Sequence, residues 1–103
     1  MEIHIDSSVK KFIQSLQPLT TAKVLRTIDL LEKFGNHLGM PHSKRVSGKL
    51  CELRIRGQQE IRVFYCFYKQ GIYLLHAFIK KSQKIPQREL TIAKDKCRRL
   101  TAI

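Results

Sequence analysis

The sequence predicts an α+β fold in which two N-terminal helices pack on a small antiparallel sheet, in the order β-α-α-β-β-β-α. Three observations predict it. Two segments of helical period lie in the first third of the chain, three strand-like segments separated by glycine-containing turns occupy the middle, and one basic helical segment closes it. With 103 residues and 43% hydrophobic side chains, the chain reads as a single domain, residues 1–103, with a modest core.

Taken in order, residues 2–5 (EIHI) alternate polar and apolar and read as a short strand. Asp6 or Ser7 caps a first helix whose Val9, Phe12, Ile13 and Leu16 share one face, and Pro18 ends it. Thr20 or Thr21 opens a second helix with Val24, Leu25, Ile28 and Leu31 turned inward, and Gly35 supplies its stop. Residues 36–48 (NHLGMPHSKRVSG) break any period and read as a loop. Strands follow over 50–56, 60–68 and 72–79, joined by turns at Gly57 and Gly71. Beyond the polar stretch KKSQKI, Pro86 and Glu89 suit the first turn of a third helix. Leu90, Ala93, Cys97 and Leu100 share one face of that helix, while Lys94, Lys96, Arg98 and Arg99 point elsewhere.

Charge narrows the function. Twenty Lys and Arg against eight Asp and Glu give a net charge of +12. Self-repulsion at that level costs stability, so the imbalance points to a polyanionic partner, nucleic acid first and an acidic protein second. A merely solvated basic surface is the bland alternative. No apolar run approaches the roughly 18 residues of a spanning helix, and MEIHIDSSVKK lacks the order of a signal peptide. Cys51, Cys66 and Cys97 are odd in number and embedded in apolar patterns, which suits reduced thiols in a cytoplasm. There is no CxxC pair, and His37 and His42 lie in a loop without an evident third ligand, so neither metal nor cofactor is expected.

Strand parity sorts the middle of the chain onto two faces. Cys51, Leu53, Ile55, Ile61, Val63, Tyr65 and Phe67 form an apolar face for the first two helices. A turn at Gly57-Gln58-Gln59 places Arg56 opposite Glu60, a rim pair, and Arg54 opposite Arg62. A turn at Lys69-Gln70-Gly71 pairs 68 with 72, which places His76 opposite Phe64 and Phe78 opposite Arg62, with Lys80 continuing that face. The third helix is then expected over Cys66, Tyr68 and Leu74.

The functional reading of the second face is a phosphate-binding floor. Arg54 and Arg62 offer bidentate contacts, aromatic residues including Phe78 stack on bases, and too few carboxylates are expected nearby to neutralise the site. The competing reading has the arginines held by Glu52, Glu89 or Asp95. His76 is either the candidate acid/base or a packed, hydrogen-bonded histidine. Lys80 and Lys81 would assist the arginines. Lys44, Arg45, Lys49, Arg56, Gln83 and Lys84 are candidate RNA contacts, each with a plain solvated alternative.

The segments LCELRIRG, IRVFYCFY and LLHAFIKKSQKIPQREL, in that order after two helices, resemble the RelE/HigB-type toxins of bacterial type II toxin–antitoxin modules. They are most similar to the phage-derived HigB-like branch of the RelE/ParE superfamily, and the resemblance runs from about residue 3 to 100. It implies a compact, RelE-like, microbial-RNase-type domain that cleaves mRNA on the translating ribosome. It also implies a small antitoxin partner with a helix-turn-helix region, and contact with operator DNA only through the antitoxin complex. By motif, Arg62 matches the family's central-strand arginine, Arg54 and Arg56 its basic positions on the preceding strand, and Lys80 and Lys81 its basic pair after the last strand. Many relatives carry a C-terminal tyrosine for proton transfer, whereas residues 80–103 here contain neither Tyr nor His. Two other readings stay open: a ParE-like poison of DNA gyrase, and a non-catalytic RNA- or ribosome-binding module.

Overall fold

The computed structural model describes residues 1–102. A five-stranded sheet is built from β1 (Glu2–Ile5), β2 (Ser43–Ser47), β3 (Leu50–Ile55), β4 (Ile61–Tyr68) and β5 (Gly71–Ile79). Helices α1 (Ser7–Gln14) and α2 (Pro18–Phe34) precede β2, and α3 (Gln87–Thr101) follows β5. The strand order is β1-β5-β4-β3-β2, with β1 parallel to β5 and every other pairing antiparallel. The α+β class is as the sequence predicts.

The two helical layers have separate causes. Asp6 caps α1 by accepting from the Ser8 amide at 3.0 Å. Val9 and Ile13 then pack with Val24, Ile28 and Leu31 of α2 against Leu53, Ile55, Val63, Ile72 and Leu74 of the sheet. On the other face, Ala93 and Cys97 of α3 meet Leu50, Phe64, Cys66, Leu75 and Phe78, with Leu90 and Leu100 at the margin. Every strand of the central trio is thereby covered on both sides, and Val63, Phe64 and Cys66 are fully buried.

Four expectations need correction. Pro18 does not merely end α1; it opens α2, where its missing N–H costs nothing and its fixed φ suits the first turn. Leu25 is 47% exposed, and the buried stripe of α2 runs instead through Thr20, Val24, Thr27, Ile28 and Leu31. Thr27 can be buried because its hydroxyl donates to the Lys23 carbonyl at 2.8 Å. The predicted loop 36–48 contains β2, whose Ser43, Lys44 and Arg45 pair with Leu53, Glu52 and Cys51. Its polar composition is that of an edge strand, where Lys and Arg keep the open side solvated.

The fourth correction concerns the β4–β5 register. Lys69 and Gln70 adopt φ of +46° and +64°, a two-residue hairpin loop that pairs Tyr68 with Gly71, not with residue 72. A bulge between Phe64 and Tyr65 then absorbs one residue of β5, so that Phe64 still faces His76 and Arg62 still faces Phe78. The bulge sends Leu74 to the α1/α2 core and Leu75 to the α3 core. Leu74 therefore does not lie under α3.

Candidate functional site

The polar cluster of interest starts from the β3–β4 pairing. Arg54 and Arg62 are direct cross-strand neighbours, as parity requires. Like charges so placed repel, and the structure answers with carboxylates from the same elements. Glu52, two residues before Arg54 on the same face, is 5% exposed and sends Oε1 to within 3.5 Å of Arg54 Nε and Oε2 to within 3.9 Å of Arg62 Nε. Glu60, at the start of β4, accepts from Arg62 Nη2 at 3.0 Å, and Arg62 Nη1 donates to the Ile61 carbonyl at 3.2 Å. Arg62 is only 1% exposed.

The expectation of too few carboxylates is thereby overturned: two guanidiniums stand against two carboxylates, Glu52 and Glu60. Neither Glu89 nor Asp95 holds an arginine of this pair. Glu89 takes His76, and Asp95 takes Arg98 within α3. Neutralisation is nonetheless incomplete in hydrogen-bond terms. Glu52 Oε2, Arg54 Nε and Arg62 Nε are buried without a hydrogen-bond partner among the described residues. Such groups carry the full cost of desolvation. Hydrogen bonding to Arg62 holds the Glu60 carboxyl below the usual carboxylate range, so Glu60 is ionised at neutral pH.

His76 lies one cross-strand row away, opposite Phe64. Its Nε2 stands 2.6 Å from Glu89 Oε1, which orients the ring between β5 and α3. Phe78 is 6% exposed and stacks on Phe64 at 5.7 Å between centroids, so it is core and no platform for a base. Lys80 Nζ donates to the Ser82 and Gln83 carbonyls at 2.6 and 3.1 Å and so closes the loop after β5. Glu60, Lys80, Lys81, Ser82 and Gln83 line an open cleft of about 370 Å³. Lys81, Gln83 and Lys84 are exposed there.

The remaining candidates lie apart. Lys44 and Arg45 are exposed on the edge strand β2, and Lys49 on the turn into β3. Lys44 and Arg45 line a different cavity, of about 670 Å³, with Cys51, Tyr65 and Met40. Tyr65 and Ser43 share a hydrogen bond beside it, and burial pushes the Cys51 thiol up. Arg56 is exposed just past the end of β3; the hydrogen bond of Glu60 goes to Arg62, and the positive charge of Arg56 acts with it to hold the Glu60 carboxyl down. The expected Arg56–Glu60 rim attraction is present, but the carboxylate's hydrogen bond goes to Arg62, which strand parity does not show. The signal for Glu52 was present in parity, which places it beside Arg54. No group of His, Cys, Asp and Glu among the described residues could hold a metal ion, and no helix is long and apolar enough to cross a membrane.

Fold and cluster together define a class: a basic protein with helices on both faces of a five-stranded sheet and an Arg–Glu cluster on β3 and β4. A family model described as phage derived protein Gp49-like (DUF891) matches residues 11–98. The chain belongs to this Gp49-like family, a toxin-like family of the type II toxin–antitoxin kind. No curated protein matches it.

Proposed function

We propose that this chain is a RelE/HigB-type toxin that cleaves mRNA on the ribosome and arrests translation in the cytoplasm until its antitoxin binds. The antitoxin is a small protein with a helix-turn-helix region, and operator DNA is reached only through that complex. The observation that carries the reading is the Arg54–Arg62 pair, held side by side with both Nε atoms lacking hydrogen-bond partners, together with the Lys80–Lys81 cleft that Glu60 adjoins.

The chemistry needs no external nucleophile. The RNA 2′-oxygen attacks the adjacent phosphorus as its proton leaves. The bond from phosphorus to the 5′-oxygen breaks, that oxygen takes up a proton, and a 2′,3′-cyclic phosphate remains. Arg54 and Arg62 stabilise the charge building on the phosphoryl oxygens, and Lys80 and Lys81 add positive potential. His76, oriented by Glu89, handles a proton. Glu60, with its side chain 39% exposed, is the group that an incoming phosphate replaces on Arg62.

The test is to induce the chain alone in a bacterium and map mRNA 5′ ends. New ends in ribosome-bound messages are expected with the wild type. Removing one such cationic contact costs about 10²–10³ in rate, so Arg54→Gln and Lys81→Gln should each suppress the cuts while melting as folded proteins. Unchanged cleavage in the double variant would sink the reading. Burial of Arg62 against its own carboxylates favours one competitor, a toxin that acts by binding, of the gyrase-poisoning or ribosome-binding kind. Growth arrest with DNA damage and intact mRNA, or ribosome binding without cleavage, would select it.

A further inference from the structure

A second cationic site lies around the sheet edge from the first. Where α2 crosses the end of β3, a groove of about 260 Å³ is lined by Lys23, Arg26, His42, Arg54 and Arg56, and none of its lining residues is acidic. Lys23 and Arg26 stand one turn apart and so project from the same side of α2. Lys23 leans over the β3–β4 turn so closely that a Cβ at Gly57 would come within 2.7 Å of its Nζ. Among the described residues, the side chains of Lys23, Arg26 and Arg56 make no ion pair. This is the reverse of the Arg62 environment, where two carboxylates meet one buried guanidinium.

We infer that this groove binds the phosphodiester backbone of RNA, as an extension of the path of the strand cut at the Arg54–Arg62 pair. The inference rests on the nuclease reading for the identity of the polyanion and on the groove's own residues for its existence. Of its four permanent cations, Arg54 has Glu52 beside it and Arg56 lies in the field of Glu60. Lys23 and Arg26 have no carboxylate partner among the described residues. That uncompensated charge raises the energy of the empty protein, and an anion relieves it. Continuity selects the ligand. Arg54 belongs to both sites: it is among the residues lining the groove, its Nε faces Glu52, and its Cα lies opposite Arg62. A backbone lying along Lys23 and Arg26 therefore leads past Arg54 toward Arg62 and on to the Glu60–Lys80–Lys81 cleft. Only Arg54 and Arg56 of this groove stand out in the strand pattern; Lys23 and Arg26 look like an ordinary solvated helix face.

The experiment measures binding of a short 2′-O-methyl RNA, which lacks the nucleophilic hydroxyl, across a salt series. Each phosphate contact to a single strand contributes about 0.7 to the slope of log K against log salt, so Lys23→Gln/Arg26→Gln should flatten it by about 1.4. Lys10→Gln/Lys11→Gln on α1 removes the same charge elsewhere and should leave the slope nearly unchanged. Gly57→Ala, which displaces the Lys23 ammonium without altering charge, should weaken binding in the same direction. An unchanged slope in the α2 double variant, or one matched by the α1 control, would overturn the inference. So would loss of binding to an acidic poly-glutamate peptide with RNA binding intact, which would assign the groove to a protein. If the wild type binds with the expected slope yet cuts no ribosome-bound message, the groove stands and the nuclease reading falls.

Discussion

Replacing Glu52 by glutamine should destabilise the fold far more than the loss of one surface charge would. The side chain is nearly isosteric, so packing is kept and only the charge goes. In the wild type, Arg54 and Arg62 are balanced by Glu52 and Glu60; in the variant one carboxylate faces two guanidiniums, and it is bonded only to Arg62. Glu52 lies 3.5 Å from Arg54 Nε and 3.9 Å from Arg62 Nε. A unit pair at such range is worth about 4 kcal/mol at an effective dielectric near 20. Desolvation of the carboxylate, which the variant relieves, offsets part of this, while the buried cations it leaves behind add to the cost. Removing one member of a buried pair typically costs about 3–5 kcal/mol, which for a domain of this size lowers the melting temperature by roughly 15–30 °C. Thermal and urea melts followed by circular dichroism at neutral pH measure it. Two further results are expected of the same reasoning. Glu52→Gln/Arg54→Gln, which restores one cation to one carboxylate, should recover part of the loss, and inorganic phosphate should stabilise Glu52→Gln more than the wild type. A loss below about 1 kcal/mol, the worth of an exposed pair, would show that the arginines do not depend on Glu52.

Two other outcomes test the packing around the site. Asp6 caps α1 and accepts from Lys96 at 3.0 Å, so Asp6→Ala should cost about 1 kcal/mol in urea melts. Burial works to raise the Asp6 pKa, but the bonds from Ser8 and Lys96 outweigh it and hold it below the ordinary 3.8. Its contribution is therefore complete above that value and fades as pH falls through the lower folded value, so wild type and Asp6→Ala should converge in strong acid. Burial pushes the Tyr65 phenol from 10.0 up to about 12 despite its bond to Ser43. The stability linked to it is full below the unfolded value and lost as pH rises toward the folded one, so ultraviolet titration should show a late phenolate step that Tyr65→Phe removes.

What could be read from the sequence divides along physical lines. Period and parity depend on burial alone, and they located the helices, the three long strands and the Arg54–Arg62 register. The edge strand β2 was invisible because one of its sides faces solvent and its residues, SKRVS, carry no apolar alternation. The β4–β5 hairpin shows how two local errors can cancel. The turn is one residue shorter than the spacing suggested, the bulge at Phe64/Tyr65 consumes one residue, and the predicted His76–Phe64 and Phe78–Arg62 pairs survive. Only the residues between turn and bulge exchange faces, Leu74 among them. For the polar cluster, parity placed Glu52 beside the arginines but could not say that it would be 5% exposed, because parity assigns a face and not a depth. Strand pattern also does not say which of two nearby arginines a carboxylate at a turn will bond: Glu60 feels Arg56 but bonds to Arg62.

The two carboxylates around Arg62 differ in a way that bears on how such a cluster works. Glu52 is 5% exposed and stands within reach of both Arg54 and Arg62, and its removal leaves Arg62, only 1% exposed, short of a carboxylate. Glu60 sits at the head of β4 with its side chain 39% exposed, beside Lys80 and Lys81, and water can take it back at little cost. On the nuclease reading proposed above, an RNA phosphate arriving in the cleft would compete with Glu60 and not with Glu52. It would gain a preorganised guanidinium, and Glu60 would regain hydration while staying ionised. In the free protein the same arrangement keeps two neighbouring arginines from unfolding the sheet. A bare pair would be the stronger anion trap and the weaker fold. Lending one carboxylate from a solvated strand end and burying the other reconciles the two demands, and it explains why a strand pair in a small domain can carry guanidiniums side by side.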